Sequence, residues 1–207
     1  MDKISRKERE HLAHRGEILQ AAEEAFATKG FFHTTMSEIP QVAEFGTGTL
    51  YKFFKSKEDL YFTLIDEKVE EINQLVKTEL SQGTSAIDRI KKVLRIQFEF
   101  FEQNHNFFRI YISERNRFEW TVKDDLGKGM HDKMVTYINL LTQVMKEGIE
   151  EGEFRPLNPM DMAHALVGIV NSFLFEWLIS PEPYPLISKM EKILEIFLEG
   201  TESERRR

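Results

Sequence analysis

An all-α fold of about nine helices follows from three features of this 207-residue chain. Apolar residues recur at the 3.6-residue spacing of amphipathic helices along most of its length. Helix-start signals punctuate it: Thr35 with Glu38, Ser56 with Asp59, Ser85 with Asp88, and Asn158-Pro159. No stretch alternates apolar and polar residues as a half-buried strand does, and no segment repeats.

In order along the chain, residues 1–15 set Lys3, Arg6, Lys7, Arg9 and Arg15 among acids. They read either as an arm or helix extension touching phosphate or as a solvated, frayed helix start, and for any single one the second reading is favoured. A first helix is expected from about Gly16 to Thr28, with Ile18, Leu19, Ala22, Ala25 and Phe26 on one face and Gly30 ending it. Two short helices follow. The first, Met36 to Ala43, has Thr35 as N-cap, and Ile39, Val42 and Ala43 face inward. Glu44-Phe45-Gly46 breaks the chain. The second, Thr47 to Phe54, turns Leu50, Phe53 and Phe54 back and offers Thr47, Thr49, Tyr51 and Lys52 outward. A short helix of that kind suits a reader of the DNA major groove.

Ser56 caps a long helix to about Leu80, with Leu60, Leu64, Val69, Ile72, Val76 and Leu80 as its stripe. Gln82-Gly83-Thr84 breaks the chain before a helix over 85–103, and Asn104-His105-Asn106 precedes one over 107–118. A helix over 123–151 stops at Gly152 and the Pro156–Pro159 segment. Asn158 caps a helix to Ile179 that is apolar nearly all round, so it needs cover on several sides. Its Ala165, Gly168 and Ser172 form a small-residue face that permits close helix approach. Pro181, Pro183 and Pro185 stiffen the turn to a last helix, Leu186 to Glu199, which Gly200 ends; the tail ESERRR is expected to be disordered.

Composition excludes several functions. There is no Cys, so disulfides and thiolate metal sites are out. The charged N-terminus is unlike a secretory signal, and the apolar run from Met160 to Ile179 carries Asp161, His164, Asn171 and Glu176, which argues against a membrane span. A cytoplasmic protein is expected. The net charge of −7 divides unevenly: residues 1–57 hold nine Lys/Arg against eight Asp/Glu, and residues 58–207 hold 19 against 27. The acidic part is the part that should stay off DNA. His131 and Asp132 lack a partner nucleophile, and His164 and Glu176 lie about three turns apart, too far to share a metal. No Gly-rich phosphate loop is present. Neither an enzyme nor a bound metal or cofactor is expected.

One string is specific enough to name a resemblance. ILQAAEEAFATKGF (18–31), Thr34-Thr35, Ile39 and the run from Ala43 through Gly48-Thr49-Leu50-Tyr51-Lys52 to Lys57-Glu58-Asp59-Leu60 resemble the DNA-binding domain of the TetR family of bacterial transcriptional regulators. The sequence departs from the family pattern at Pro40, Glu44 and Gly46. Pro40 removes one hydrogen bond from the first short helix, Glu44 stands where Gly favours the turn, and Gly46 lacks a capping hydroxyl.

The resemblance implies a three-helix DNA-binding head over 1–57 and an effector-binding and dimerisation domain over 58–207, with 58–80 as the connecting helix. In the head it places Ser37, Thr47, Gly48, Thr49 and Tyr51 toward base edges, and Thr35, Lys52 and Lys57 toward phosphates, with Lys55 a further DNA-binding residue. The middle helices would enclose a mainly apolar effector. Its candidate lining is Phe98 and Phe101, then Ile110 and Glu114, then Met134, Tyr137 and Leu141, then Val167, Asn171 and Phe175. Glu114 would pair there with a cationic ligand group or with Arg117. The last two helices would form a two-fold dimer bundle through Ala165, Gly168, Ser172, Met190, Ile193 and Phe197. The expected function is a dimeric, ligand-released repressor on a palindromic DNA operator. A second reading is a protein of the same fold that acts through protein contacts without reading DNA.

Overall fold

The computed structural model describes residues 5–39, 46–81, 85–115, 125–180, 182 and 184–201. Among them are eight α-helices: α1 (Arg6–Lys29), α2 (Thr47–Phe53), α3 (Lys57–Leu80), α4 (Ala86–Gln103), α5 (His105–Arg115), α6 (Asp125–Glu150), α7 (Pro159–Ile179) and α8 (Met190–Thr201). A 3-10 turn, Leu186–Lys189, leads into α8. The described residues contain no strand. Of the predicted helix over 36–43 only the entry is described: the Glu38 N–H donates to the Thr35 carbonyl at 3.1 Å. Pro40, Val42, Ala43 and Glu44 lie outside the described residues, as do Arg117 and the tail 202–207.

α1 begins ten residues before the expected start at Gly16. Ser5 caps it, its hydroxyl accepting from the Glu8 N–H while the Glu8 carboxylate accepts from the Ser5 N–H at 2.8 Å. That reciprocal box extends the helix through the charged segment, and Gly16 sits in its interior. At the other end Gly30 closes it with φ 79. The C-terminal element differs too. Leu186–Lys189 winds more tightly than an α-helix after Pro185, and α8 runs through Gly200 to Thr201. Thr201 is tied there, its carbonyl accepting from the Arg155 N–H at 2.8 Å.

The chain forms two compact units: Met1–Lys68 with Asn106–Trp120, and Val69–His105 with Thr121–Arg207. In the first, Ile18, Leu19, Ala22 and Phe26 of α1 close on Leu50, Phe54, Leu60, Tyr61 and Leu64. Phe26, Phe31 and Tyr61 meet at its centre with ring centroids 4.9–5.9 Å apart, both phenylalanines edge to face with Tyr61 and tilted to each other. The Arg109 guanidinium of α5 donates to the Ala27 carbonyl.

In the second unit α6 packs chiefly on α7 and α4, while α8 and the 3-10 turn pack on α4 and α7. Its core is Ile90, Val93, Leu94, Phe98 and Phe101 of α4, Ile138, Leu141, Val144 and Met145 of α6, and Met162, Leu166, Val170 and Leu174 of α7. Asn158 caps α7, its side-chain oxygen accepting from the N–H groups of Met160 and Asp161. α7 is long and apolar enough to cross a membrane, with 28% of its most apolar window buried. Its exposed face nonetheless carries His164, Asn171, Ser172 and Glu176, a set that hydrocarbon would disfavour.

Candidate functional site

α2 starts on Gly46, whose backbone is extended (φ −70, ψ 142) and whose carbonyl accepts from the Thr49 N–H at 2.8 Å. No side chain caps this end. Leu50 and Phe54 are buried and Phe53 is half-buried under the His11 ring, at 4.4 Å between centroids. Two buried anchors therefore fix which way the helix faces. The opposite face is open: Gly48, Tyr51 (55% exposed) and Lys52 stand in solvent and Thr49 is partly exposed. A Cβ built on Gly48 meets nothing within 4 Å, so this turn offers bare backbone to a ligand. The Thr47 side chain lies outside the described set.

Thr35 and Ser37 are exposed at the entry to the first short helix, their hydroxyl oxygens 3.1 Å apart. The Glu38 carboxylate gathers this corner. It accepts from the Thr35 N–H at 2.7 Å, the Thr35 hydroxyl at 2.8 Å and the Lys29 ammonium at 2.6 Å. The Lys29 bond first, then those from Thr35, pull its pKa down to about 2. Of the lysines expected to bind DNA, Lys52 and Lys55 are exposed. Lys57 is engaged otherwise. Its ammonium donates to the carbonyls of Phe31 and Thr34, each at 2.8 Å, and lies 4.4 Å from the Phe31 ring centroid.

In the second unit Phe98, Phe101 and Leu141 are buried and Val167 and Tyr137 are half-buried, on α4, α6 and α7, which pack on one another. Met134, Asn171 and Phe175 do not join them. All three are exposed, because the helical turn that buries Leu166, Val170 and Leu174 rotates Asn171 and Phe175 to the outside of α7. Ile110 is buried in the first unit, and the Glu114 side chain lies outside the described set.

Sequence reasoning missed Gln97. It lies on the buried stripe of α4 and is 6% exposed, with its amide 2.6 Å from the Tyr137 hydroxyl. Its Oε1 is buried without a hydrogen-bond partner. Burial pushes the Tyr137 phenol up to about 12, so it keeps its proton at any neutral pH. The signal was available: Gln97 falls seven residues after Ile90 and four before Phe101, in line with the apolar stripe.

The outer face of α7 presents Ala165, Gly168, Asn171, Ser172, Phe175 (49% exposed) and Ile179 (64%). On α8 the exposed apolar residue is Ile196. Ile193 and Phe197 point into the subunit and are buried, and Met190 is half-buried. No group of three or more His, Asp or Glu residues among those described could hold a metal ion.

The chain is similar to known proteins along most of its length. Residues 18–64 match the profile described as bacterial regulatory proteins, tetR family, and residues 83–178 match that of the tetracyclin repressor-like C-terminal domain. The fatty acid metabolism regulator protein of Bacillus subtilis is 23% identical over 185 residues, covering 89% of this chain and 93% of its own. The transcriptional repressor KstR2 of Mycobacterium tuberculosis is 25% identical over 190 residues, covering 92% of this chain and 94% of its own. Among solved structures, FadR from Bacillus subtilis in complex with stearoyl-CoA superposes with a TM-score of 0.74 at 23% identity, over 89% of this chain and 97% of the other.

Proposed function

Because the chain belongs to the TetR family of bacterial transcriptional regulators, we propose that it is a cytoplasmic, dimeric DNA-binding repressor, released from a palindromic operator by a mainly apolar small molecule. The observation that carries the DNA reading is α2 itself. Two large side chains anchor a short helix whose other face sets Gly48, Thr49, Tyr51 and Lys52 in the open. Thr49 and Tyr51 would meet base edges, with Thr47 and Ser37 beside them, while Lys52, Lys55 and Thr35 meet phosphates. Lys57 would act mainly by holding the turn after α1 in place, since two of its three donors are spent there.

The effector would enter among α4, α6 and α7, between Phe98, Phe101, Tyr137, Leu141 and Val167. Such walls offer area rather than fixed hydrogen bonds, which suits an elongated apolar ligand. Relatives named for fatty acid metabolism, and one solved with stearoyl-CoA, support that class. The dimer would form through the outer face of α7, at Ala165, Gly168 and Ser172, with Phe175, Ile179 and Ile196 adding apolar area. Release follows if the ligand prefers one spacing of the two heads, since a ligand shifts only an equilibrium whose two states it binds differently.

A gel shift with the DNA upstream of the protein's own gene, with and without long-chain acyl-CoA, tests this reading. A discrete complex at nanomolar protein, lost on adding acyl-CoA, is expected. Binding no tighter to that DNA than to random duplex would overturn the repressor reading and favour action through protein contacts.

A further inference from the structure

Building on the DNA reading above, we infer that Lys29 is a further phosphate-binding residue of the head, and that the Glu38 carboxylate holds the place of that phosphate in the free protein. DNA then binds at this corner by exchange, one oxyanion for another.

Thr35 has two donors, a backbone N–H and a hydroxyl, and both are given to Glu38 Oε2, at 2.7 and 2.8 Å. Thr35 can therefore give a full hydrogen bond to a DNA phosphate only if Glu38 lets go. The other carboxylate oxygen, Oε1, takes the ammonium of Lys29, the last residue of α1, at 2.6 Å. Glu38 is ionised, with its pKa at about 2, so its carboxylate can only accept and the Thr35 hydroxyl turns its one hydrogen there. The 3.1 Å contact between the Thr35 and Ser37 hydroxyls is then a donation from Ser37. An ammonium, an amide and a hydroxyl gathered round one pair of anionic oxygens form the donor set that a phosphodiester takes.

A helix cap alone is built differently. At Ser5 the hydroxyl accepts from the Glu8 N–H at 3.2 Å, as a capping residue does. At Thr35 the Glu38 N–H goes to the carbonyl, and the hydroxyl serves the carboxylate, where Lys29 of α1 joins it. The corner is also open. Lys29 and Glu38 keep 50% and 34% of their side chains exposed, and Thr35 and Ser37 are exposed beside them, so a DNA strand can reach these donors. An exposed ion pair holds weakly and is screened by salt. A phosphodiester carries the same single charge as the carboxylate it displaces, and Glu38 can swing into water on its flexible side chain.

The test measures binding of the full-length parent, Glu38→Gln, Lys29→Gln and Lys29→Arg to the duplex upstream of the protein's own gene. Glu38→Gln frees Lys29 and Thr35, so it should bind roughly three- to tenfold tighter at low salt. Its slope of log affinity against log salt should steepen by about one, because Lys29 no longer brings its own counter-charge. Ethylation of single phosphates should reveal a position in each half-site that weakens the parent's binding. Lys29→Gln should lose that sensitivity and Lys29→Arg should keep it. Circular dichroism checks that each variant is folded, and the ethylation pattern of Lys29→Gln decides the matter if Glu38→Gln is not. A folded Glu38→Gln that binds no tighter than the parent overturns the inference, since Glu38 would then shape Thr35 for DNA rather than stand in for it. An ethylation pattern unchanged in Lys29→Gln overturns it as well, while the DNA reading stands. If the parent binds its upstream duplex no tighter than random DNA, the repressor reading fails, and the affinity and slope of Glu38→Gln on random DNA still decide this inference.

Discussion

The Glu153 carboxylate, 2% exposed, accepts the backbone N–H of Ile87 at 3.1 Å. It also receives the Ala86 N–H at 3.3 Å, so a residue after α6 satisfies the first turn of α4 from outside that helix. Three chain segments meet there. The Glu153 and Phe154 N–H groups donate back to the Gly148 carbonyl, and a Cβ on Gly148 would lie 2.5 Å from the Phe154 ring. Glu153→Ala leaves two buried donors without their acceptor and should cost about 2–3 kcal/mol in urea unfolding. A loss below about 0.5 kcal/mol would mean that the first turn of α4 finds other partners.

Lys52 and Lys57 stand five residues apart and should fail in different ways. Lys52 is exposed, so Lys52→Ala should weaken binding to every DNA sequence and reduce the slope of log affinity against log salt by about one. Lys57 is bonded to the Phe31 and Thr34 carbonyls, so Lys57→Ala should lower thermal stability before any effect on DNA is read. Calorimetry and salt titrations of the two variants separate these roles. A Lys57→Ala protein that melts like the parent but shows the flattened slope would return Lys57 to the phosphates.

Glu38 ties Thr35 and Lys29 together, and its pKa is held at about 2 against an ordinary 4.5. A depressed folded-state value stabilises the protein above the unfolded value and loses that contribution as pH falls through the folded one. The contribution of Glu38 should therefore be complete above about pH 4.5 and fade between there and pH 2. Glu38→Gln, which carries no titrating proton, should melt below the parent at pH 6, with the difference shrinking toward pH 2. A difference that stays constant across that range would show that the bonds do not depend on the charge.

The helices were legible because their signals are local. Caps at Ser85 and Asn158, the closing Gly30 and Gly152, and the stripe of α4 need no tertiary knowledge. The early start of α1 was legible as well, in the Ser5–Glu8 box, yet the charge of the segment masked it. What periodicity could not fix is which apolar residues the chain buries and which it leaves exposed. Ile193 and Phe197 share a stripe with Leu194 and go inside, while Phe175, no less apolar, stays out. A helix apolar on every side carries no phase, so α7 gave no sequence basis for setting Asn171 inside or outside. Gln97 and Glu153 were overlooked for the opposite reason. Their roles depend on groups 40 and 66–67 residues away.

The outer face of α7 supplies the sharpest test of the dimer. Gly168 is exposed, and a Cβ built there meets nothing within 4 Å, so an isolated subunit has room for a larger side chain. Gly is also a poor helix former, and its replacement by Glu should favour α7 by a few tenths of a kcal/mol or more. Gly168→Glu should thus leave the single subunit folded, with helical content by circular dichroism equal to the parent's. In a two-fold dimer the same substitution sets two carboxylates into a close helix contact, where an unpaired buried charge is strongly unfavourable. Sedimentation at micromolar concentration should show a monomer. Operator affinity should fall by orders of magnitude, because a single head spans only one half-site. Ile196→Glu on α8 should act in the same direction if that residue belongs to the same face. A Gly168→Glu protein that sediments as a dimer would move the interface off this face of α7, and the exposed Phe175 and Ile179 would then need another cover.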